Sequence, residues 1–210
     1  SDTILINERL VYEDIFTSIH IERYEVEIDQ TADICEKTTK NIPNLNFSEI
    51  IGYLNNTLAD DDIIIVGSGN NSQWVHRYYQ YRNLGSQLVT TAGSMGYAVP
   101  AAIAAKLVYP KKTVVSFNGD GCFMMLGQEI INAIENDLNP IFIIINNEKL
   151  GTIRMHQERK FPKRVVGTSI KNPDFVALAN AYGLNAIRIT DTEDFYENFE
   201  RAKNNLYGIM

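Results

Sequence analysis

The chain is poor in the residues that staple small folds together. Its two cysteines, Cys35 and Cys122, cannot make a disulfide framework, and His20, His76 and His156 have no zinc-ligand spacing. Cationic residues are the minority, 19 Lys and Arg against 26 Asp and Glu, for a net charge of -7. Broad nucleic-acid or anionic-membrane binding needs clustered cations, so neither kind of partner is expected. The longest apolar runs, such as Ile141 to Ile145, are far too short to span a bilayer. The first residues lack the basic-then-apolar pattern of a secretory signal. What is present is ordinary globular chain: 45% hydrophobic and 21% charged residues argue against disorder. At 210 residues the chain can bury roughly 70% of its unfolded surface without a metal or disulfide. A cytoplasmic α/β protein of one generous domain, with or without a short appendage, is the expectation.

Residues 1–44 read as the appendage. Thr3-Ile4-Leu5-Ile6 and Ile19-His20-Ile21 look like short strands, Tyr24 to Ile28 alternates apolar and acidic residues, and Asn41-Ile42-Pro43-Asn44 suits a linker. From residue 45 the pattern is regular. Phe47, Ile50, Ile51, Leu54 and Leu58 recur at helical spacing behind a cap at Asn46 or Ser48. Asp62 to Val66, Thr113 to Phe117 and Pro140 to Ile145 are short apolar runs of the kind buried in parallel sheets, and Ala186 to Ile189 is a weaker one. Helical stretches are expected at Ser72 to Tyr81, Tyr97 to Leu107, Leu126 to Asn136, Pro173 to Tyr182 and Asp194 to Ala202. This alternation predicts a three-layer αβα fold around a mainly parallel sheet of about six strands.

In such sheets ligands bind beyond the carboxyl ends of the strands. After the first strong strand, Gly67-Ser68-Gly69-Asn70-Asn71-Ser72 nearly matches a dinucleotide fingerprint. Ser72 replaces the third glycine, and Leu88-Val89-Thr90-Thr91 stands where a ribose-binding acid belongs, so a nicotinamide or flavin site is disfavoured. A phosphate cradle and an ordinary strand-to-helix turn both remain open there. Gly119-Asp120-Gly121 follows the next strand, and Asn146-Asn147 the one after. One βαβ step lies between them, so Asp120 and Asn147 can meet on adjacent strand ends as oxygen donors for a hard cation such as Mg²⁺. Other features read more plainly. Asp60-Asp61-Asp62 suits a solvated turn, Trp74 to Tyr79 a helix face or subunit contact, and Cys122 a small buried residue. Met95 on its own residue type suits the core, while Arg154 and His156 fit either a substrate-facing position or a solvated helix.

Gly119-Asp120-Gly121, 24 residues, then Asn146-Asn147, resembles the signature of thiamine diphosphate enzymes. Gly93-Ser94-Met95-Gly96-Tyr97-Ala98-Val99-Pro100-Ala101-Ala102 resembles the segment by which that superfamily holds the aminopyrimidine ring. Gly151 to Gln157 and Asn172-Pro173-Asp174-Phe175 resemble its acetolactate-synthase-like branch. The resemblance covers about residues 45–205 and fits the C-terminal, diphosphate-binding domain.

It implies thiamine diphosphate and Mg²⁺ as cofactors. Asp120 and Asn147 would supply side-chain oxygens to the metal, and Lys149 its carbonyl. Gly69, Asn70, Asn71, Gly119, Gly121, Cys122, Leu150, Gly151 and Thr152 would line the diphosphate. Gly93, Ser94 and Met95 would hold the pyrimidine. In the family the Gly93 carbonyl accepts a hydrogen bond from the 4'-amino group, and Met95 wedges the cofactor into its bent form. These two residues are therefore the catalytic candidates. One cation and backbone donors neutralise the diphosphate, which agrees with an acidic chain. The implied reaction is decarboxylation of a 2-oxo acid and ligation of the carbanion to a second carbonyl compound; a simple decarboxylase and a non-catalytic relic are the alternatives. The family's activating glutamate lies in a pyrimidine-binding domain, usually of a partner in a homodimer or homotetramer. That domain has no counterpart here. The chain is therefore expected to be a fragment or split subunit, inactive alone and cut near its last strand.

Overall fold

The chain divides into two units, Ser1–Pro43 and Asn44–Met210. The structure, a computed structural model, describes residues 45–204 and 208–209. The strands expected before residue 30, Cys35, His20 and the linker at 41–44 lie outside the described residues.

The second unit is built on three strands buried along most of their length: β1 (Ile63–Val66), β3 (Val114–Gly119) and β4 (Ile141–Ile145). A strand that is hydrophobic on both faces is stable only with layers on both sides. Alternate residues accordingly point into two separate cores. Ile63, Ile65, Val114 and Phe142 pack with α3 (Ala98–Val108), α4 (Asp120–Leu126), α5 (Ile130–Glu135) and α7 (Phe175–Ala181). Ile64, Val66, Val115, Phe117, Ile141 and Ile143 pack with α1 (Phe47–Thr57), α2 (Asn70–Tyr78) and α8 (Thr192–Asn204). The three-layer αβα architecture follows from that double-sided burial.

β2 (Gln87–Val89) and β5 (Gly208–Ile209) complete a wholly parallel sheet in the order β2-β1-β3-β4-β5. Five strands are present among the described residues where about six were expected. The apolar run at Ala186 to Ile189 makes a single bridge, at Ala186, among the described residues, and β5 stands beside β4. β2 was not anticipated: three half-buried edge residues leave almost no periodic signal. The helix expected at Leu126 to Asn136 is three pieces, α4, a 3₁₀ turn at Gly127–Glu129 and α5. No helix among the described residues is long and apolar enough to cross a membrane.

The order places the reversal of strand sequence between β1 and β3. From β1 the chain runs outward to β2, then returns over α3 to β3 on the other side. The connections that leave β1 and β3 therefore diverge at the strands' carboxyl ends and leave a crevice, the usual ligand position in this strand order.

Candidate functional site

Asp120 opens α4 directly at the end of β3 and is 3% exposed. Burial of a carboxylate is costly unless hydrogen bonds or opposite charge compensate it. Here the compensation comes from N–H groups alone. Gly121 donates its amide to Oδ1 at 2.8 Å. Oδ2 accepts from the amides of Asn147 at 3.3 Å and Glu148 at 2.7 Å, and from Asn172 Nδ2 at 2.7 Å. Among the described residues no Lys, Arg or His forms an ion pair with it. The result is a buried anion held in place by dipoles and lacking a countercharge.

The loop after β4 wraps this carboxylate. Asn147 stands on the same rim as Asp120, and its Oδ1 accepts from the Lys149 amide at 3.0 Å in an Asx turn. Lys149 lies in an isolated antiparallel bridge with Ser169. The Leu150 amide donates to Thr168 at 2.8 Å and the Ile170 amide to Glu148 at 2.9 Å, which clamps the loop to residues 168–170. No group of three or more His, Cys, Asp or Glu side chains is arranged for a metal among the described residues. A site here would instead combine one carboxylate with amide and carbonyl oxygens, a donor set that suits Mg²⁺.

The loop after β1 supplies small residues and amides. Its first amide, that of Gly67, donates to Phe117 at 2.8 Å and ties it to the end of β3. Gly69 has φ 137°, a conformation glycine adopts freely. A Cβ there would lie 2.9 Å from Asn71 Oδ1, and one on Gly119 3.4 Å from the same atom. Asn71 therefore sits between the two loops, buried, with its Nδ2 unpartnered. A buried unpaired N–H is costly and suits an anionic oxygen. Asn70 Oδ1 accepts from Thr152 Oγ1 at 2.9 Å, which joins the first turns of α2 and α6 (Gly151–Lys160). A Cβ on Gly151 would stand 3.5 Å from Asn70 Nδ2 and 3.6 Å from Asn147 Nδ2.

The apolar part of the site gathers around Gly121. A Cβ there would meet Leu150 Cδ2 at 3.1 Å, Met95 Cε at 3.2 Å and Ile170 Cδ1 at 3.3 Å. Met95 is thus half-buried with its tip against the start of α4. Gly93 and Ser94 are exposed. Gly93 has φ 65° with open space around it, and the Ser94 amide donates to Thr90 Oγ1 at 3.0 Å. Cys122 donates its thiol to the Ser68 carbonyl at 2.7 Å, and burial pushes its pKa up, so it stays a neutral thiol.

The structure brings Asp120, Gly121, Asn147, Lys149, Leu150, Gly151, Thr152, Asn70 and Met95 around one end of the sheet. Gly93 and Ser94 stand apart from that group: the Ser94 amide bonds to Thr90, and a Cβ on Gly93 would meet nothing within 4 Å. Trp74 and Tyr78 form a helix face stacked on each other and tilted against Phe47 of α1. Arg154 and His156 lie on α6, which buries no residue. Asp60 and Asp61 face Arg82 and Lys112, but Asp62 is buried and accepts the Ala59 and Thr113 amides, so that turn is a structural clamp. Asn146, Ile170 and Asn172 were missed as site residues. For Asn172 the available signal was the Asn-Pro-Asp-Phe motif, matched to a family branch without a role attached.

Comparison with known proteins agrees with this geometry. Residues 67–207 match the family "Thiamine pyrophosphate enzyme, C-terminal TPP binding domain". The mitochondrial acetolactate synthase of Schizosaccharomyces pombe is 36% identical over 139 residues, 65% of this chain and 21% of that protein. The acetolactate synthase large subunit of Lactococcus lactis subsp. lactis is 34% identical over 155 residues, 72% and 27% respectively. The chain thus spans about a quarter of the length of these relatives. A further similarity is of another kind. Over 67 residues, 32% of this chain and 4% of the other, it is 63% identical to the DNA-directed RNA polymerase subunit beta of Trieres chinensis.

Proposed function

This chain belongs to the thiamine pyrophosphate enzymes, whose C-terminal TPP-binding domain it carries, and on that premise we propose that residues 45–210 hold thiamine diphosphate and Mg²⁺ for an acetolactate synthase-like enzyme acting on a 2-oxo acid. The observation that carries the proposal is the buried, dipole-held and otherwise uncompensated Asp120 carboxylate beside Asn147. A divalent cation supplies the missing charge.

In this reading Asp120, Asn147 and the Lys149 carbonyl are the protein's metal ligands. Gly69, Asn70, Asn71, Gly119, Gly121, Cys122, Gly151 and Thr152 receive the diphosphate, Asn71 with its unpartnered Nδ2. Gly93 offers its carbonyl to the 4'-amino group, with Ser94 beside it. Met95, Leu150 and Ile170, whose ends meet around Gly121, would give the apolar wall against the cofactor's rings. The bound cofactor would supply the electron sink for decarboxylation. The pyrimidine-binding domain and its glutamate would come from another part of the full protein or from a partner in a homodimer or homotetramer. Exposed Met124, Met125 and Leu126 on α4, the helix that Asp120 begins, support a contact there.

Equilibrium dialysis of thiamine diphosphate with and without Mg²⁺ tests the site. Binding should need the metal and be lost in Asp120→Ala; metal-independent binding, or equal binding by the variant, would remove the reading. With the full protein, pyruvate should give acetolactate; acetaldehyde as the only product would replace ligation with simple decarboxylation.

Residues 1–44 are read as an appendage, the tail of a preceding central domain plus its linker.

A further inference from the structure

Asn172 is the one member of the Asp120 cluster that reaches it from outside the two cation-bearing strand ends. Its Nδ2 donates to Asp120 Oδ2 at 2.7 Å and to Asn146 Oδ1 at 2.8 Å. Both partners are acceptors, so the orientation of the amide is set by the contacts themselves. One NH₂ group therefore ties the end of β3 to the turn that carries Asn147.

The anchoring of Asn172 is stiff. Pro173 follows it and restricts its backbone to extended conformations. Asp174 next caps α7, accepting the Val176 and Ala177 amides at 3.0 and 3.2 Å. On the other side, residues 168–170 are clamped to the Asn147 loop by the Leu150 and Ile170 amide bonds. The cost of this arrangement is visible in the same side chain: Asn172 Oδ1 is buried with no partner. A buried orphan acceptor is unfavourable and marks a residue kept for what its other end does.

We propose that Asn172 is a positioning residue for the metal site, holding the Asp120 carboxylate and the Asn146–Asn147 turn in the relative geometry that a shared divalent cation needs. The inference rests on the metal-site reading above. Three donors already crowd Oδ2, which fixes the carboxylate's rotation and leaves its remaining lone pairs aimed by the protein and not by the ion. Without Asn172 the carboxylate keeps the Gly121, Asn147 and Glu148 amides but loses its only side-chain donor among the described residues, and Asn146 loses its side-chain link to Asp120. Outer partners of ligands commonly alter metal affinity about 10- to 100-fold.

The test is Mn²⁺ binding to the full-length protein with saturating thiamine diphosphate, read from the EPR signal of free Mn²⁺. Asn172→Ala removes the donor and opens a gap; Asn172→Leu removes the donor and fills it. Both should weaken Mn²⁺ by about tenfold or more, and the six-line spectrum of bound Mn²⁺ should broaden in both. The apo proteins' thermal midpoints should stay close to that of the wild type. If Asn172→Leu binds Mn²⁺ as the wild type does, the residue only packs and the inference fails. If both variants bind as the wild type while Asp120→Ala does not bind, the metal site stands without this role. No Mn²⁺ binding by the wild type would sink the site reading, and the inference with it.

Discussion

Asp120 shows how one buried charge organises its neighbours. Its four N–H donors come from α4, the loop after β4 and the segment before α7, so one carboxylate joins three parts of the chain. Gly121 beside it has a narrower duty. It sits in a helix, where alanine is favoured by about 0.5–1 kcal/mol, but its missing Cβ leaves room for the ends of Met95, Leu150 and Ile170. Gly121→Ala should therefore change unfolding free energy by less than about 1 kcal/mol in urea, yet displace Met95 and weaken thiamine diphosphate binding. Unaltered cofactor affinity would remove Met95 from the site. Cys122 gives a pH signature. Burial raises its pKa above the ordinary thiol value of 9.0. Below pH 9 the thiol is neutral whether the chain is folded or unfolded. Above it the unfolded chain ionises first, so stability falls as pH rises through that value. The urea midpoint should drop more between pH 7.5 and 10 for the wild type than for Cys122→Ala.

Among the elements, α1 is the one whose start is written most clearly. Asn46 Oδ1 accepts from the Ser48 amide at 3.1 Å and the Glu49 amide at 3.5 Å, and its Nδ2 reaches back to Glu49 at 2.7 Å. Asn46→Ala should cost about 1 kcal/mol in chemical denaturation. α4 was hidden, because Gly-Asp-Gly reads as a tight turn. The helix nevertheless begins at Asp120, whose carboxylate accepts the next amide and satisfies one of the free N–H groups of a helix start. α6 was ambiguous for the opposite reason: Gly151–Lys160 buries no residue and so has no apolar stripe to read. Met124 and Met125 on α4 are 47% and 55% exposed. In the full-length protein, Met124→Asp with Met125→Asp should shift sedimentation toward smaller species if that helix meets a partner. An unshifted profile would move the contact elsewhere.

At the scale of the whole molecule, the site is a meeting of loops and its ligand should stabilise the fold. Free ligand at a hundred times its dissociation constant adds about 2.7 kcal/mol, a rise of roughly 5–10 °C in Tm for a unit of this size. Thermal unfolding with thiamine diphosphate and Mg²⁺ should show that rise, and EDTA should abolish it. A midpoint indifferent to both would argue against any specific site.

The sheet's central strands, the layered architecture and the Asp120–Asn147 pair were all legible from local pattern. Apolar runs report burial on both faces, and one βαβ step between two motifs fixes which strand ends they occupy. The strand count was not legible, since β2 and β5 are short edges whose pairing depends on what lies beside them and not on their own residues. Nor was Asn172, 52 positions from Asp120. Local sequence determined where Asp120 and Asn147 stand; only the folded chain decided what holds them there, because hydrogen bonds between distant segments have no periodicity to read.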